Sequence, residues 1–198
     1  MASITRNSIA AALGLLVSTV AGTAGAGDDR LVRIVARTEV STLEQIPERV
    51  REAAQDGPDC MLETTVEMLG AVRFTINDDW SIWQLPCYLA AYQASHVHVQ
   101  AVMLDGDLNA ALMVFPGSPS SDPAEEVEIV NPEVDIATST LTSFALGRGL
   151  GDCGRYARYE LVRGEGESID WELVELREKD DCNGVEDDPT AYPLIWQR

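Results

Sequence analysis

Lysine is nearly missing. The 198-residue chain contains one, Lys179, beside thirteen arginines, and 33 Asp and Glu outnumber these 14 basic residues for a formal net charge of −19. So acidic a surface repels phosphate polyanions, which excludes nucleic acid as a partner. Histidine is scarce too: His96 and His98 are the only two, so a three-histidine metal centre cannot form. No apolar run reaches the roughly 20 residues of a membrane-spanning helix. No G-x-S-x-G marks a hydrolase nucleophile, no Lys follows the glycines as in a phosphate loop, and no two cysteines have C-x-x-C zinc spacing. What is present is an apolar fraction of 45%, enough buried surface to offset the entropy of ordering, so the chain folds.

The N-terminus reads as an address rather than as structure. Arg6 precedes the apolar stretch Ile9–Val20, and Ala24-Gly25-Ala26 has the small-x-small form accepted by a signal peptidase. Cleavage after Ala26 is expected, leaving residues 27–198 as a single domain with no membrane span, in the periplasm or secreted. In such an oxidising compartment the four cysteines, Cys60, Cys87, Cys153 and Cys182, form two disulfides. Spacing allows three pairings; Cys60–Cys87 with Cys153–Cys182 is favoured because it closes two local loops of similar length.

Leu31–Arg37 reads as a strand, and a helix is expected after Ser41-Thr42-Leu43-Glu44, which fits a capping box, with Ile46, Val50 and Ala53/Ala54 on one face and Pro47 in the first turn. Cys60–Leu69 leans towards a short helix. Strands follow: Ala71–Ile76 and Trp80–Cys87 around a polar Asn77-Asp78-Asp79 turn, Tyr92–Leu104, and Ala110–Phe115 after Asp105-Gly106-Asp107. Pro116–Pro123 is a loop, flanked further on by strands Glu125–Val130 and Leu141–Leu146. Arg155–Arg163 and Ile169–Arg177 pair across Gly164–Gly166. In the latter strand the apolar phase switches after Leu173 to Val174 and Leu176, the signature of a bulge. The fold class is therefore α+β, one or two N-terminal helices with a mainly antiparallel β-sheet.

Three segments, Trp83–Tyr92 (WQLPCYLAAY), Leu141–Gly154 (LTSFALGRGLGDCG) and Cys182-Asn183-Gly184 with Tyr192–Trp196 (YPLIW), come in an order that resembles a bacterial exported family catalogued as domain of unknown function 1176. The resemblance covers roughly residues 60–198. It implies a bacterial, periplasmic protein with the cysteines as framework, and it brings no activity, cofactor or catalytic residue. Ala90-Ala91-Tyr92 stands where members often have Gly-Ala-Tyr, and Asn183 where they have Arg. Many members extend further at the N-terminus.

Three constellations are candidates for chemistry. The glycines of Gly147–Gly154 permit close backbone approach to a ligand, with Arg148 and Asp152 the polar groups of a binding loop; the competing reading is a tight loop tied to Cys182 with Arg148 and Asp152 paired. His96 and His98, two apart on a strand, present their imidazoles side by side, a geometry for zinc or copper with Asp105 or Asp107 as oxygen ligands; the competing reading is a solvent-facing pair. Lys179–Asp188 crowds Asp181, Asn183 and Asp187 around Gly184, which suggests calcium, although the EF-hand register fails because Lys179 and Thr190 would occupy its end positions. No cofactor is otherwise expected, calcium and zinc being the candidates.

Carboxylates are too many for a catalytic pair to be chosen. The first expectation is a disulfide-braced, non-catalytic binding or interaction module, its negative charge suited to a basic envelope protein, with a flat patch around Trp80, Trp83 and Tyr88. A saline habitat explains the charge equally. The alternatives are an envelope hydrolase with an unassigned site and a divalent-cation-binding protein.

Overall fold

The computed structural model describes residues 29–119, 125–166 and 168–198; the expected signal segment, residues 1–26, and residues 120–124 of the Pro/Ser/Gly loop lie outside them. In chain order the elements are β1 (Ala36–Val40), a 3-10 turn (Leu43–Gln45), α1 (Glu48–Ala54), α2 (Leu62–Leu69), β2 (Ala71–Thr75), β3 (Trp80–Leu89), β4 (Ala94–Leu104) and β5 (Asp107–Leu112). There follow β6 (Phe115–Pro116), β7 (Glu125–Glu126), β8 (Glu128–Val130), β9 (Glu133–Asp135), β10 (Thr140–Leu146), β11 (Gly154–Arg163), β12 (Ile169–Lys179), a second 3-10 turn (Pro189–Ala191) and β13 (Leu194–Gln197). The architecture is α+β, two short helices with antiparallel strands. One sheet runs β1-β2-β3-β4-β5, with β8 also on β4; a second runs β13-β12-β11-β10-β9; β6 and β7 form a separate pair.

Local chemistry explains most of these boundaries. The expected helix after Ser41 is interrupted at Pro47, whose ring disfavours a helical residue before it; Ile46 is extended, with φ −92° and ψ 122°. The turn is closed not by Glu44 but by Gln45, whose Oε1 accepts the Ser41 and Thr42 N–H groups at 3.1 Å each. At the β2–β3 turn Asn77 Oδ1 accepts from the N–H of Asp79 and Trp80 at 3.0 and 2.8 Å, an Asx turn. Asp105 and Gly106, with φ 54° and 91°, form the two-residue β4–β5 turn that left-handed Asp-Gly pairs favour. The β11–β12 ladder pairs Arg158 with Glu175 and Tyr159 with Leu173, which leaves Val174 as the extra residue where the apolar phase switches.

The first sheet is the middle of three layers. On one face Val50, Ala53 and Ala54 of α1 and Leu62 and Val66 of α2 pack on Trp83, Leu85, Val97, Val99 and Ala101. On the other, Phe74 and Ile82 pack on Leu141, Tyr159, Leu161, Trp171 and Leu173 of the second sheet. Met113 and Phe115, read as the end of one strand with Ala110, leave β5 and turn into this inter-sheet core. Because adjacent strand residues point to opposite faces, β3 and β4 are buried on both sides, and His98 is buried completely. Among the described residues no helix is long and apolar enough to cross a membrane.

Each disulfide reinforces a junction that hydrogen bonds also hold, the first beside Met61 N–H to the Cys87 carbonyl at 2.9 Å and Thr65 Oγ1 to the Pro86 carbonyl at 2.6 Å. Cys60–Cys87 ties the approach to α2 onto β3, and Cys153–Cys182 ties the start of β11 to the loop after β12; their sequence separations are 27 and 29. Loops of this length are worth about 3–4 kcal/mol on the chain-entropy model. Replacing Cys60 and Cys87 together by Ser is expected to lower the urea unfolding free energy by about that amount. A loss below about 1 kcal/mol would contradict it.

Candidate functional site

The glycine-rich loop turns its polar groups on itself. Arg148 Nε donates to Asp152 Oδ1 at 2.7 Å, Arg148 Nη2 donates to Asp152 Oδ2 and, at 2.9 Å, to the Cys182 carbonyl, and the Gly184 N–H donates to Asp152 Oδ2 at 2.6 Å. Asp152 is buried, and the bidentate guanidinium holds its carboxyl well below the usual carboxylate range. The glycines serve the same closure. A Cβ on Gly154 would lie 2.3 Å from the Ala145 carbonyl, and one on Gly147 would lie 2.8 Å from Cys153 Sγ. Arg148 and Asp152 thus brace the second disulfide.

The acidic loop is built around a cation that the chain supplies itself. Lys179 Nζ donates to Asp187 Oδ2 at 2.7 Å, to the Val185 carbonyl at 3.1 Å and to Asn183 Oδ1 at 3.4 Å, and it lies 5.6 Å from the centre of the Tyr192 ring. Two of the three side chains read as calcium ligands, Asn183 and Asp187, are on this ammonium. Asp181 is exposed, and its carbonyl accepts from the Asn183 N–H. Asp188 caps the second 3-10 turn through Thr190.

His96 and His98 do stand on one side of β4, but that side faces the second sheet, not solvent. The reason is the second layer, which strand alternation alone does not announce. His98 Nε2 and Gln84 Oε1 are 3.1 Å apart, and the imidazole packs on Phe115 and Trp171 with ring centroids at 5.2 and 6.1 Å. Burial pushes His96 down to about 4, and burial together with the neighbouring His96 pushes His98 down to about 3. Both rings are therefore neutral at pH 7. Asp105 and Asp107 are at the exposed β4–β5 turn. Among the described residues no group of three or more His, Cys, Asp or Glu is placed to hold a metal ion.

The expected aromatic patch does not assemble. Trp83 is buried under the helices, Trp80 packs against the inter-sheet core, and Tyr88 is exposed near the β3 bulge. A groove of about 540 Å³ lies elsewhere, bounded by the first 3-10 turn, α1 and the start of α2. Leu43, Cys60 and Leu62 give it an apolar wall, and Glu48, Glu52 and Glu63 stand on it as exposed acids, of which Glu52 pairs with Arg49. Arg51 lines it, and Arg51 Nε is buried with no hydrogen-bond partner among the described residues. Beside the groove Met61, Met68 and Leu69 are exposed. No motif in the sequence marks this site; its signal is Arg51 beside the apolar stripe of Val50, Ala53 and Ala54, in a helix whose other charges are Glu48, Arg49 and Glu52.

A family model described as "Protein of unknown function (DUF1176)" matches residues 26–197. The match begins well before residue 60, so it takes in β1 and the helices as well as the glycine and cysteine segments. Comparison with curated proteins and with solved structures returns no match.

The buried histidines set a pH dependence. An unfolded histidine titrates near 6.5, so below that pH the unfolded chain binds protons that the folded one refuses, and stability falls as the pH falls. The loss is about 2 kcal/mol per histidine by pH 5, before the depressed carboxylates contribute. The melting temperature is expected to drop between pH 7.5 and 5, and the paired variant His98→Leu/Gln84→Leu to flatten that slope. A wild-type curve level across this range would contradict the assignment.

Proposed function

Since the chain belongs to the DUF1176 family, whose description assigns no activity, we propose from the site itself that it is a non-catalytic binding module of the bacterial envelope, exported by a cleaved signal peptide, and that the helical layer is its binding face. Two disulfides in one short chain support an oxidising compartment, and the Arg6, Ile9–Val20 and Ala24-Gly25-Ala26 pattern supports export.

The observation that carries the choice of face is the coincidence of groove, exposed apolar side chains and uncompensated charge. Residues 41–69 hold seven carboxylates and two arginines, and one of those arginines, Arg49, pairs with Glu52 at 3.1 Å. The outer face of the second sheet is different. There Arg30, Arg158, Arg177 and Arg198 interleave with Glu160, Glu172 and Glu175 in a connected series of ion pairs, so its charge is balanced. A negative face carrying methionines, which adapt to varied partners, suits a basic envelope protein. Electrostatic steering makes such association depend on ionic strength.

The test is binding of a purified polybasic peptide, measured at 20 and 300 mM salt. Affinity is expected to fall at least tenfold with salt and to fall similarly at low salt in the variant Glu48→Lys/Glu63→Lys/Glu67→Lys. Equal binding by the variant would move the interaction off this face.

A further inference from the structure

The groove of the helical layer combines charges that neither a simple anion nor a simple cation satisfies. Arg51 lines it without a hydrogen bond or ion pair to any described residue, and burial has stripped its Nε of water. Nε alone is shut off from water, so a carboxylate entering the groove meets the terminal guanidinium nitrogens, which also act at a distance on Glu44. The start of α2 adds to this seat. No side chain caps α2 at Met61; the Met61 and Thr64 N–H groups donate to the Cys87 and Met61 carbonyls, which leaves those of Leu62 and Glu63, two residues that line the groove, as the first-turn donors without a backbone acceptor. Helix N-termini attract negative charge through these free donors.

Glu48 and Glu63 are the opposing element. Both line the groove, both are exposed, and neither pairs with a described cation. They repel a purely anionic ligand, while a purely cationic one leaves Arg51 without a counter-charge. A molecule bearing one charge of each sign satisfies both, and the apolar wall of Leu43 and Leu62 takes an aliphatic body between them. The groove volume of about 540 Å³ falls within the range of about 300–1,000 Å³ usual for small-molecule sites.

We propose that this groove binds a short zwitterionic peptide, its free carboxylate on Arg51 and the first turn of α2, its free ammonium towards Glu48 and Glu63, and its apolar side chain over Leu43 and Leu62. The inference rests on the helical layer being the binding face. It goes further by naming a second, small ligand that engages Arg51, a residue a polybasic partner avoids.

Calorimetry with leucyl-leucine tests it on the full mature chain. Saturable binding is expected, weakened at least tenfold when the peptide is N-acetylated and at least tenfold when it is C-amidated. Arg51→Gln is expected to lose binding by a similar factor. Glu48→Gln/Glu63→Gln, at exposed positions where folding is not at stake, is expected to weaken the free dipeptide but not its N-acetyl form. Absence of binding, or equal binding of the blocked and free dipeptides, overturns the proposal. If the polybasic peptide still binds in a salt-dependent way, the zwitterion has failed and the face has not; if neither probe binds, both have failed.

Discussion

A sheet covered on both faces is the constraint from which the rest of the molecule follows. β3 and β4 lie between the helices and the second sheet, so residues along their middles are drawn from water whichever way they point, Gln84 and Gln100 being partly exposed. That demand accounts for Val97, Val99 and Ala101 under α1 and α2, and for Phe74 and Ile82 against Trp171 and Leu173. It also accounts for a histidine with no exposure, held by Gln84 and by aromatic rings. A neutral imidazole with one nitrogen satisfied is tolerable in such a place; a charged one is not.

Around this middle layer the chain neutralises its charges unevenly. Its sole lysine is spent inside the acidic loop, Arg148 is spent on Asp152, and four arginines are spent on the outer face of the second sheet. The helical layer is left with its acids, its exposed methionines and Arg51, which forms no salt bridge among the described residues. Charge balance, rather than any catalytic constellation, is what distinguishes one surface of this protein from another, and that is why the functional reading centres on the helices.

Much of the strand order was legible because turn chemistry is local. Asn77-Asp78-Asp79, Asp105-Gly106 and Gly164–Gly166 all fall at hairpin turns, and the phase switch after Leu173 marks the bulge at Val174. The cysteine couples were legible from loop lengths. What escaped was non-local. The alternation of Val97, Val99 and Ala101 with His96 and His98 signals one buried face and is silent about a second layer. Pro47 sits where a capping box allows a proline, yet its restriction of Ile46 ends the turn and starts a separate helix. The crowded oxygens after Lys179 read as a metal loop because a lysine's ability to fold back over eight residues onto Asp187 leaves no mark in a motif.

The central claim, that the first sheet is the doubly covered heart of the fold, is most directly tested by native-state hydrogen exchange. Amides of Val97–Ala101 in β4 should exchange only through global unfolding, with the slowest rates in the chain, while those of α1, α2 and the edge strand β1 open at lower free energy. Exchange at β4 as fast as at β1 would mean that one of its two covers is missing, and the three-layer account would fall.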